Sequence, residues 1–495
     1  MEAEKTPAPL EVEAVDKQHL QGQHGPALEM PASLAALSPS EYERIGKKAT
    51  LKMDCIIMPI MVVMYILNYL DRQNIASARL ADIEEDLNIT DVQYQTCVSI
   101  LFVGYILMQV PSNMIVSKIK KPGIYICGAM ALWGVISALM AVVKNYAGLL
   151  SARFFLGFIE AAFFPGALYF LSMFYNRKQF ALRTAILYSG SQAGNAFGGL
   201  FAIAILKLDG KSGLEGWRWL FLVEGIITIG LALIFALILP NSNKKIMTLS
   251  QIECEWVQWN YAADLGQEDH REEISAWQGL KLAIADPKTW LLMGILYSCY
   301  IVGAVTNFFP SVVGGLGYSR TKTYGLTAPP FVLCVFTMLL NGFWSDRTQR
   351  RFLHIVGPLI ITLVANIIAV SSLSIAARYV AIMLLPGSFY ASAVVILSWI
   401  TGSLNQPAPK RASAIALINA ICNTPNIWGS YLYGNAPRFL EAFIVNIAAT
   451  GLAIGFATAT FFYLRRVNAK LEQGKSVGKN GPTEAQLAAG FRYTL

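Results

Sequence analysis

Asn68-Tyr-Leu-Asp71-Arg72-Gln-Asn74-Ile75 is the stretch of sequence that decides the fold. It overlaps the end of the run Ile56–Leu70, which carries no charge, so an acid, a guanidinium and three amides lie inside or beside a long apolar segment. A charged side chain near the centre of a bilayer costs about 2.5–3.5 kcal/mol on insertion scales. The two charges therefore either end a helix at the membrane interface or face a polar path inside the membrane. In the second case the helix continues through Asn74 to Ala78.

Composition indicates a membrane protein. Hydrophobic residues make up 55% of the 495 positions and charged residues 14%, whereas a soluble domain is about 25% charged. The net charge of +8 accompanies no basic groove or recognition module, so we expect no nucleic-acid partner. The seven cysteines lack the spacing of a disulfide framework or a zinc site. No nucleophile–base pair or cofactor loop is visible, so we expect no metal, no cofactor and no enzymatic activity.

Twelve apolar runs are long enough to cross about 30 Å of hydrocarbon as helices of about 20 residues. Six of them precede a polar stretch and six follow it, so we predict an all-α integral membrane protein made of two six-helix bundles. The runs are about 53–77, 92–116, 122–143, 149–174, 184–206, 219–239, 289–312, 324–344, 352–375, 379–401, 412–433 and 441–464.

The same pattern predicts five domains. The bundles occupy residues 53–240 and 289–466, and residues 241–288 link them. Residues 1–52 are expected to be a disordered tail with a short helix near Ser38–Lys48, and residues 467–495 a second tail. No charged region followed by an apolar one occurs in residues 1–50, so no cleaved signal peptide is expected.

Lysine and arginine predict the orientation, because they concentrate in cytosolic loops. Here they concentrate on one side of the predicted helices, so we expect both termini and the linker to be cytosolic. The sequon Asn88-Ile-Thr90 then lies outside, as a candidate glycosylation site. The residues on the basic side include Arg44, Lys47, Lys48, Lys52, Lys118, Lys120, Lys121, Arg177, Lys178, Arg183, Arg347, Arg350, Arg351, Lys410, Arg411, Arg465 and Arg466.

Polar side chains within the predicted spans indicate a water-lined interior. Arg153 and Glu160 are two helical turns apart, so they share one face of the fourth span. Arg153 also fits a structural role, pinned to backbone carbonyls. Uncharged polar residues either line the same interior, where they would orient a ligand, or only bond helices together. They are Asn68, Gln192, Asn195, Tyr300, Asn307, Asn419, Asn423 and Asn426.

Carboxylates are the candidate proton carriers. The four histidines lie in predicted tails, loops or span ends, which leaves acids to titrate within the membrane. Asp71 and Glu160 are the candidates. Glu224 lies near the outer end of span 6, beside Trp217-Arg-Trp, and is expected to pair with a loop arginine.

The segment Gly342-Phe-Trp-Ser-Asp346-Arg347-Thr-Gln-Arg350-Arg351 resembles a loop signature of the major facilitator superfamily. The resemblance implies the twelve-helix fold of that superfamily. It also implies that Gly342 allows close helix packing, while Asp346, Arg347 and Arg350 form a gating network that breaks as the halves rock. Flanking positive charge alone would explain Arg350 and Arg351 but not the Gly-x-x-x-Asp-Arg spacing.

Further motifs resemble the anion:cation symporter family, in its fungal allantoate permease branch. The resemblance implies proton-coupled uptake of a small organic anion such as allantoate, nicotinate or pantothenate. It implies that Asp71 and Glu160 carry protons and that Arg72 binds the substrate carboxylate, a task suited to a planar guanidinium. The motifs, within about residues 50–470, are Asn68–Arg79, Arg153–Gly166, Ala196–Gly199, Gly216–Gly225, Leu316-Gly-Tyr, Ala328-Pro-Pro330, Lys410-Arg411 and Ala436–Phe439.

The leading hypothesis is a monomeric plasma-membrane importer whose partners are protons, a small organic anion and the lipid bilayer. Arg153, Asn68, Gln192, Asn195, Tyr300, Asn307, Asn419 and Asn423 are predicted to bind substrate with Arg72. The alternative is an exporter of a small metabolite, for instance a secondary-metabolite efflux carrier. Asn195 stands where proton-coupled drug exporters carry proline, which disfavours that export branch. A third class, a nutrient receptor, would bind ligand without flux.

Overall fold

The computed structural model describes most of the chain, as twelve long helical segments joined by short loops and one linker. The predicted tail residues 1–29, the linker residues 267–274, Lys118 and Lys120 lie outside the described residues. The described ranges are 30–116, 119, 121–175, 177–241, 246, 248–266, 275–404, 408–434, 437–474, 477, 481–482 and 492–495.

The twelve segments are numbered spans 1–12 in chain order. Spans 4, 7 and 11 are each broken once into two helices. The spans are Pro39–Arg79, Asp91–Val116, Pro122–Met140, Tyr146–Glu160 with Phe163–Phe174, Arg177–Ile205, Gly216–Ile238, Pro287–Gly303 with Phe309–Gly314, Arg320–Thr348, Arg351–Ser371, Ile375–Ser403, Ala408–Cys422 with Pro425–Trp428, and Leu440–Glu472.

The predicted all-α fold of two six-helix bundles is confirmed. Nine spans in the described part of the chain are long and apolar enough to cross a membrane, and spans 2, 5 and 11 complete the set. Span 2 packs on span 4 and span 3 on span 6; in the second bundle span 8 packs on span 10 and span 9 on span 12. The repeated pairing is typical of folds built from two related halves. The face where span 1 begins and span 12 ends is here the terminal face, and the other is the opposite face.

Span 1 begins earlier than the sequence predicts. Ser38 and Glu41 form a reciprocal capping box, and Pro39 occupies the first helical position. The short helix that we predicted near Ser38–Lys48 is therefore confirmed, but it is the beginning of span 1, since residues 39–52 form one continuous helix with the rest of the span. The helix continues past Asp71 and Arg72 to Arg79. The two charges therefore lie within span 1 and do not end it.

The linker is attached to both bundles at the terminal face. Its helix Gln251–Gly266 lies beside the start of span 1, where Lys52 Nζ is 2.7 Å from Glu253 Oε2. Its second helix, Ala276–Ala285, packs on span 11. Asp286 follows that helix, and its Oδ2 is 2.7 Å from Lys410 Nζ. Ion pairs thus tie one end of the linker to each bundle.

The two bundles are joined near the opposite face. Tyr324 Oη donates to the Ser77 carbonyl at 2.7 Å, and Arg320 Nη2 lies 2.7 Å from Asp82 Oδ2. Gly199 in span 5 lies against Tyr324 and Thr327 in span 8 so closely that a Cβ there would clash with both. These contacts close the space between the bundles on this face.

Glycines set the spacing of spans 2 and 4. A Cβ added at Gly157 would lie 2.7 Å from the Leu101 carbonyl carbon, and one added at Gly104 would lie 3.0 Å from the Phe158 backbone nitrogen. Real Cβ atoms do not approach backbone so closely, so neither position accommodates alanine without moving a helix. Glu160 is carried by the same span 4, so this crossing also positions the polar interior.

Replacing Gly157 with alanine should destabilise the first bundle. The expected cost is about 1–3 kcal/mol, because the added methyl group overpacks a backbone contact. The apparent melting temperature of the purified protein in detergent would report it. Gly128→Ala in span 3 is the matched control, since a Cβ there would meet nothing within 4 Å. Equal melting temperatures for the two variants would contradict the close approach of spans 2 and 4.

Candidate functional site

A cavity lies between the two bundles. Spans 1, 2, 4 and 5 contribute its wall on one side, and spans 7, 10 and 11 on the other. The centre of a water molecule can occupy about 120 Å³ of it, which is room for several waters or a small organic ligand. An internal polar cavity of this kind is where a membrane-spanning bundle holds a ligand.

Arg72 and Glu160 form an ion pair in the wall of the cavity. Arg72 Nε lies 2.6 Å from Glu160 Oε2, and the two side chains are 14% and 0% exposed. Among the described residues that line the cavity, they supply the cation and the anion. Glu160 is the last residue of its helix, where span 4 breaks, and its Oε1 is buried without a hydrogen-bond partner.

Tyrosine rings surround this ion pair. The Arg72 guanidinium lies 4.8 Å from the ring centre of Tyr105 and 5.4 Å from that of Tyr69, within the range of cation–π attraction. These tyrosines are not among the predicted site residues. The spacing of Tyr65, Tyr69 and Arg72 (i, i+4, i+7) was available in the sequence and predicts one helical face. Tyr65, Tyr188 and Tyr390 also line the cavity.

Asp71 does not line the cavity. It is fully buried inside the first bundle, where Ser137 Oγ of span 3 donates to its Oδ1. Consecutive residues of a helix point about 100° apart, so Arg72 faces the cavity while Asp71 faces span 3. The cavity is therefore lined by Arg72 and Glu160, and Asp71, the other predicted proton carrier, lies behind it.

Arg153 also lies outside the cavity lining. It is 1% exposed, and its Nε donates to the Cys97 carbonyl in span 2 at 3.4 Å. It stands seven residues, about 10 Å along the helix, from Glu160 and nearer the opposite face. Its surroundings match the alternative that we left open, an arginine pinned to a backbone carbonyl.

Gln192 and Asn195 of span 5 bond helices together. Gln73 Nε2 donates to Asn195 Oδ1 at 3.2 Å, and Cys334 Sγ lies 3.7 Å from Gln192 Oε1. Both residues are buried, and neither lines the cavity. Their contacts fit the interhelical alternative rather than substrate binding.

The remaining predicted amides and Tyr300 do line the cavity. Asn68 lies beside Arg72, and Tyr300 and Asn307 contribute from span 7. Asn419 and Asn423 face the cavity from span 11, where Asn423 Nδ2 donates to the Asn419 carbonyl at 2.8 Å. Span 11 breaks between Cys422 and Pro425, as the proline predicts.

Glu224 pairs with an asparagine and not with the loop arginine that we predicted. The expected arginine, Arg218, pairs instead with Glu215, while Asn74 Nδ2 of span 1 donates to Glu224 Oε2. Glu224 is fully buried. It therefore belongs to the interior of the first bundle, behind the cavity.

The predicted gating loop differs in detail from the expectation. Asp346 Oδ1 accepts from Arg351 Nη1 at 2.6 Å, whereas Arg347 and Arg350 are exposed. Gln349 adopts a left-handed backbone, which turns the chain into span 9. A Cβ at Gly342 would meet nothing within 4 Å. None of the described helices packs closely against this glycine, so its predicted role in close helix packing is wrong. Asn88, the glycosylation candidate, is exposed on the opposite face.

Comparisons with known proteins agree with this architecture. Residues 61–430 match the sequence profile of the Major Facilitator Superfamily. An uncharacterized transporter of Schizosaccharomyces pombe is 30% identical over 456 residues, which cover 90% of this chain and 89% of the relative. A high-affinity nicotinic acid transporter of Saccharomyces cerevisiae is 26% identical over 459 residues, which cover 91% and 84%.

A solved structure shares the fold. The chain superposes on a bacterial homolog of the human lysosomal transporter Spinster, in an inward-facing and unoccupied conformation, with a TM-score of 0.66. The match covers 82% of this chain and 97% of that one at 17% identity. At this identity the likeness describes the fold and not the ligand.

Removing the cation of the ion pair should destabilise the protein. Arg72→Gln leaves Glu160 buried without compensation, which costs about 3–5 kcal/mol and should lower the apparent melting temperature in detergent. The double variant Arg72→Gln/Glu160→Gln should recover most of the loss. Lys47→Gln, which breaks an exposed pair with Glu43, is the control and should melt like the wild type. If Arg72→Gln proved as stable as this control, the result would contradict the buried ion pair.

Proposed function

Because the chain belongs to the Major Facilitator Superfamily and is a membrane transporter, not an enzyme, we propose that it takes up a small organic anion together with protons. The observation that carries the proposal is the Arg72–Glu160 ion pair in the cavity wall. A guanidinium there offers a carboxylate two parallel hydrogen bonds. The motifs of the anion:cation symporter family, allantoate permease branch, favour the same class of substrate.

Competition for Arg72 couples the anion to the proton. The substrate carboxylate and Glu160 need the same guanidinium, so an ionised Glu160 opposes substrate binding. A proton on Glu160 removes its charge and frees Arg72 for the anion. Proton and anion therefore bind together, and loss of the proton on the far side expels the anion. Asp71, buried next to Arg72 in span 1, is the second proposed proton carrier.

The polar residues of the second bundle would orient the uncharged part of the substrate. Tyr300, Asn307, Asn419 and Asn423 face Arg72 across the cavity and offer donors and acceptors. The surrounding tyrosine rings favour a flat apolar body. Nicotinate combines a carboxylate, a flat ring and a ring acceptor, and a relative of this chain is a nicotinic acid transporter. We therefore put nicotinate first among the acids to test.

The driving force is sufficient for accumulation. Each pH unit contributes about 1.4 kcal/mol per coupled proton, and each net charge moved inward gains about 2.3 kcal/mol per 100 mV. We propose that the terminal face is cytosolic, since it carries most of the flanking lysines and arginines. We further propose a monomer in the plasma membrane, with Asp346 and Arg351 as part of the terminal-face gate.

Uptake into vesicles under an imposed pH gradient tests the proposal. Purified protein in proteoliposomes should accumulate one of a panel of labelled acids: nicotinate, pantothenate, allantoate or benzoate. Asp71→Asn and Glu160→Gln should abolish accumulation driven by pH, because each removes a proton carrier. Both should spare counterflow exchange, since Arg72 still holds the anion.

Glu215→Gln, which alters a loop acid paired with Arg218, is the matched control and should transport like the wild type. Exchange and accumulation lost together in both test variants would argue against a separate proton role. Net movement against the imposed gradient would favour the exporter alternative. Saturable binding with no flux for any acid would favour a receptor.

A further inference from the structure

A pair of buried acids lies behind the cavity, at the junction of spans 1, 3 and 6. Asp71 and Glu224 are both fully buried. Asp71 Oδ1 accepts from Ser137 Oγ, and Glu224 Oε2 accepts from Asn74 Nδ2. Asn74 stands one turn beyond Asp71 on span 1. Its hydrogen bond therefore holds the Glu224 carboxyl within about one helical turn of Asp71 along the span.

The second oxygen of each acid has no donor. Asp71 Oδ2 and Glu224 Oε1 are buried without a hydrogen-bond partner, and so is Thr228 Oγ1, one turn beyond Glu224. Within the described residues neither acid forms an ion pair. Burying an ionised carboxylate without a cation costs several kcal/mol of free energy. Such a group therefore takes up a proton and becomes neutral instead. The added O–H would then be a donor for the unpartnered oxygens.

The balance of charges around the two acids also indicates a bound proton. Span 4 contributes the charged neighbours, Arg153 and Glu160, whose fields reach Asp71, and the field of Glu160 also reaches Glu224. Span 3 contributes neutral Ser137 and Trp133. The cluster therefore contains three acids, Asp71, Glu160 and Glu224, against two guanidiniums. Arg72 is taken by Glu160, so at least one acid must be neutral for the cluster to carry no net charge.

We propose that Asp71 and Glu224 share a bound proton, and that Glu224, through this pair, is a proton carrier of the transport cycle. The location of the proton rests on the burial and the unpartnered oxygens of the two acids, whereas its exchange rests on the proposed function. The step is a transfer within the cluster: the O–H bond of Glu224 or Asp71 breaks and an O–H bond forms on ionised Glu160. The cluster keeps its net charge. The transfer follows when the substrate takes Arg72 and leaves Glu160 without a cation, and a proton from solvent then replaces the one that left the pair, so that Asp71 and Glu224 do not both stay ionised.

Infrared titration of the full-length protein in detergent tests where the proton resides. The wild type should show a carboxylic-acid C=O band that persists in neutral and mildly alkaline buffer. Glu224→Gln and Asp71→Asn should each change this band, and the double variant should lose the pair's contribution. Glutamine still accepts from Asn74, so the fold should be retained, and the melting temperature checks this. Glu215→Gln, in a half-buried loop acid outside the pair, is the control, and its band should equal that of the wild type.

Transport separates a proton carrier from a structural acid. With labelled nicotinate or the best acid of the panel, Glu224→Gln should lower accumulation about tenfold per unit of imposed pH gradient, the loss of one coupled proton. Counterflow exchange should stay within about twofold of the wild type, because the Arg72 site is untouched. A structural role alone would leave both measurements unchanged or reduce both equally.

The two proposals fail separately. An unchanged infrared band in Glu224→Gln overturns the shared proton, and accumulation at the wild-type level overturns the role of Glu224 as a proton carrier; both results leave anion uptake intact. Absence of uptake for every acid overturns the proposed function, and the infrared band still decides whether the acid pair holds a proton.

Discussion

Uncompensated charge inside a membrane is the constraint on which this structure depends. Arg72 and Glu160 satisfy it for each other at 2.6 Å, in the wall between the two bundles. Loss of either partner leaves the other charge buried without compensation, which destabilises the fold unless another charged group replaces the lost one. The reason is that the lipid-embedded bundle offers little water. Under the proposed function, a ligand that separates the two brings its own negative charge, and Glu160 then loses its charge. In the function proposed here, recognition of an anion and uptake of a proton follow from the same pair.

The fold was predictable because it depends on length and polarity. Runs such as 122–143 and 219–239 contain few charges and reach the length of the hydrocarbon core, so span number and order follow directly. The start of span 1 did not follow, because polarity alone does not show that the predicted short helix near Ser38–Lys48 continues into the span without a break. The capping box at Ser38 was readable in the sequence, as a serine followed three residues later by glutamate.

The site was predictable in part, and the failures share one cause. Arg72 and Glu160 line the cavity together, but Asp71 turns towards span 3 and Arg153 towards the Cys97 carbonyl. Polarity and spacing identify a helix face, whereas the neighbour of that face depends on how helices pack. Glu224 illustrates the same limit, since the nearest arginine in sequence is not its partner in space. At the gating loop, the left-handed turn at Gln349 brings Arg351, and not Arg350, to Asp346.

The closed opposite face has a consequence for apparent affinity. Tyr324, Arg320 and Gly199 join the bundles there, so a molecule arriving from that side must wait until these contacts open. If each hydrogen bond contributes about 1 kcal/mol, the open form is a minority species at rest. The measured dissociation constant from that side is the intrinsic constant divided by the open fraction. A substitution that loosens the closure would thus tighten apparent binding from that side without altering any residue of the cavity.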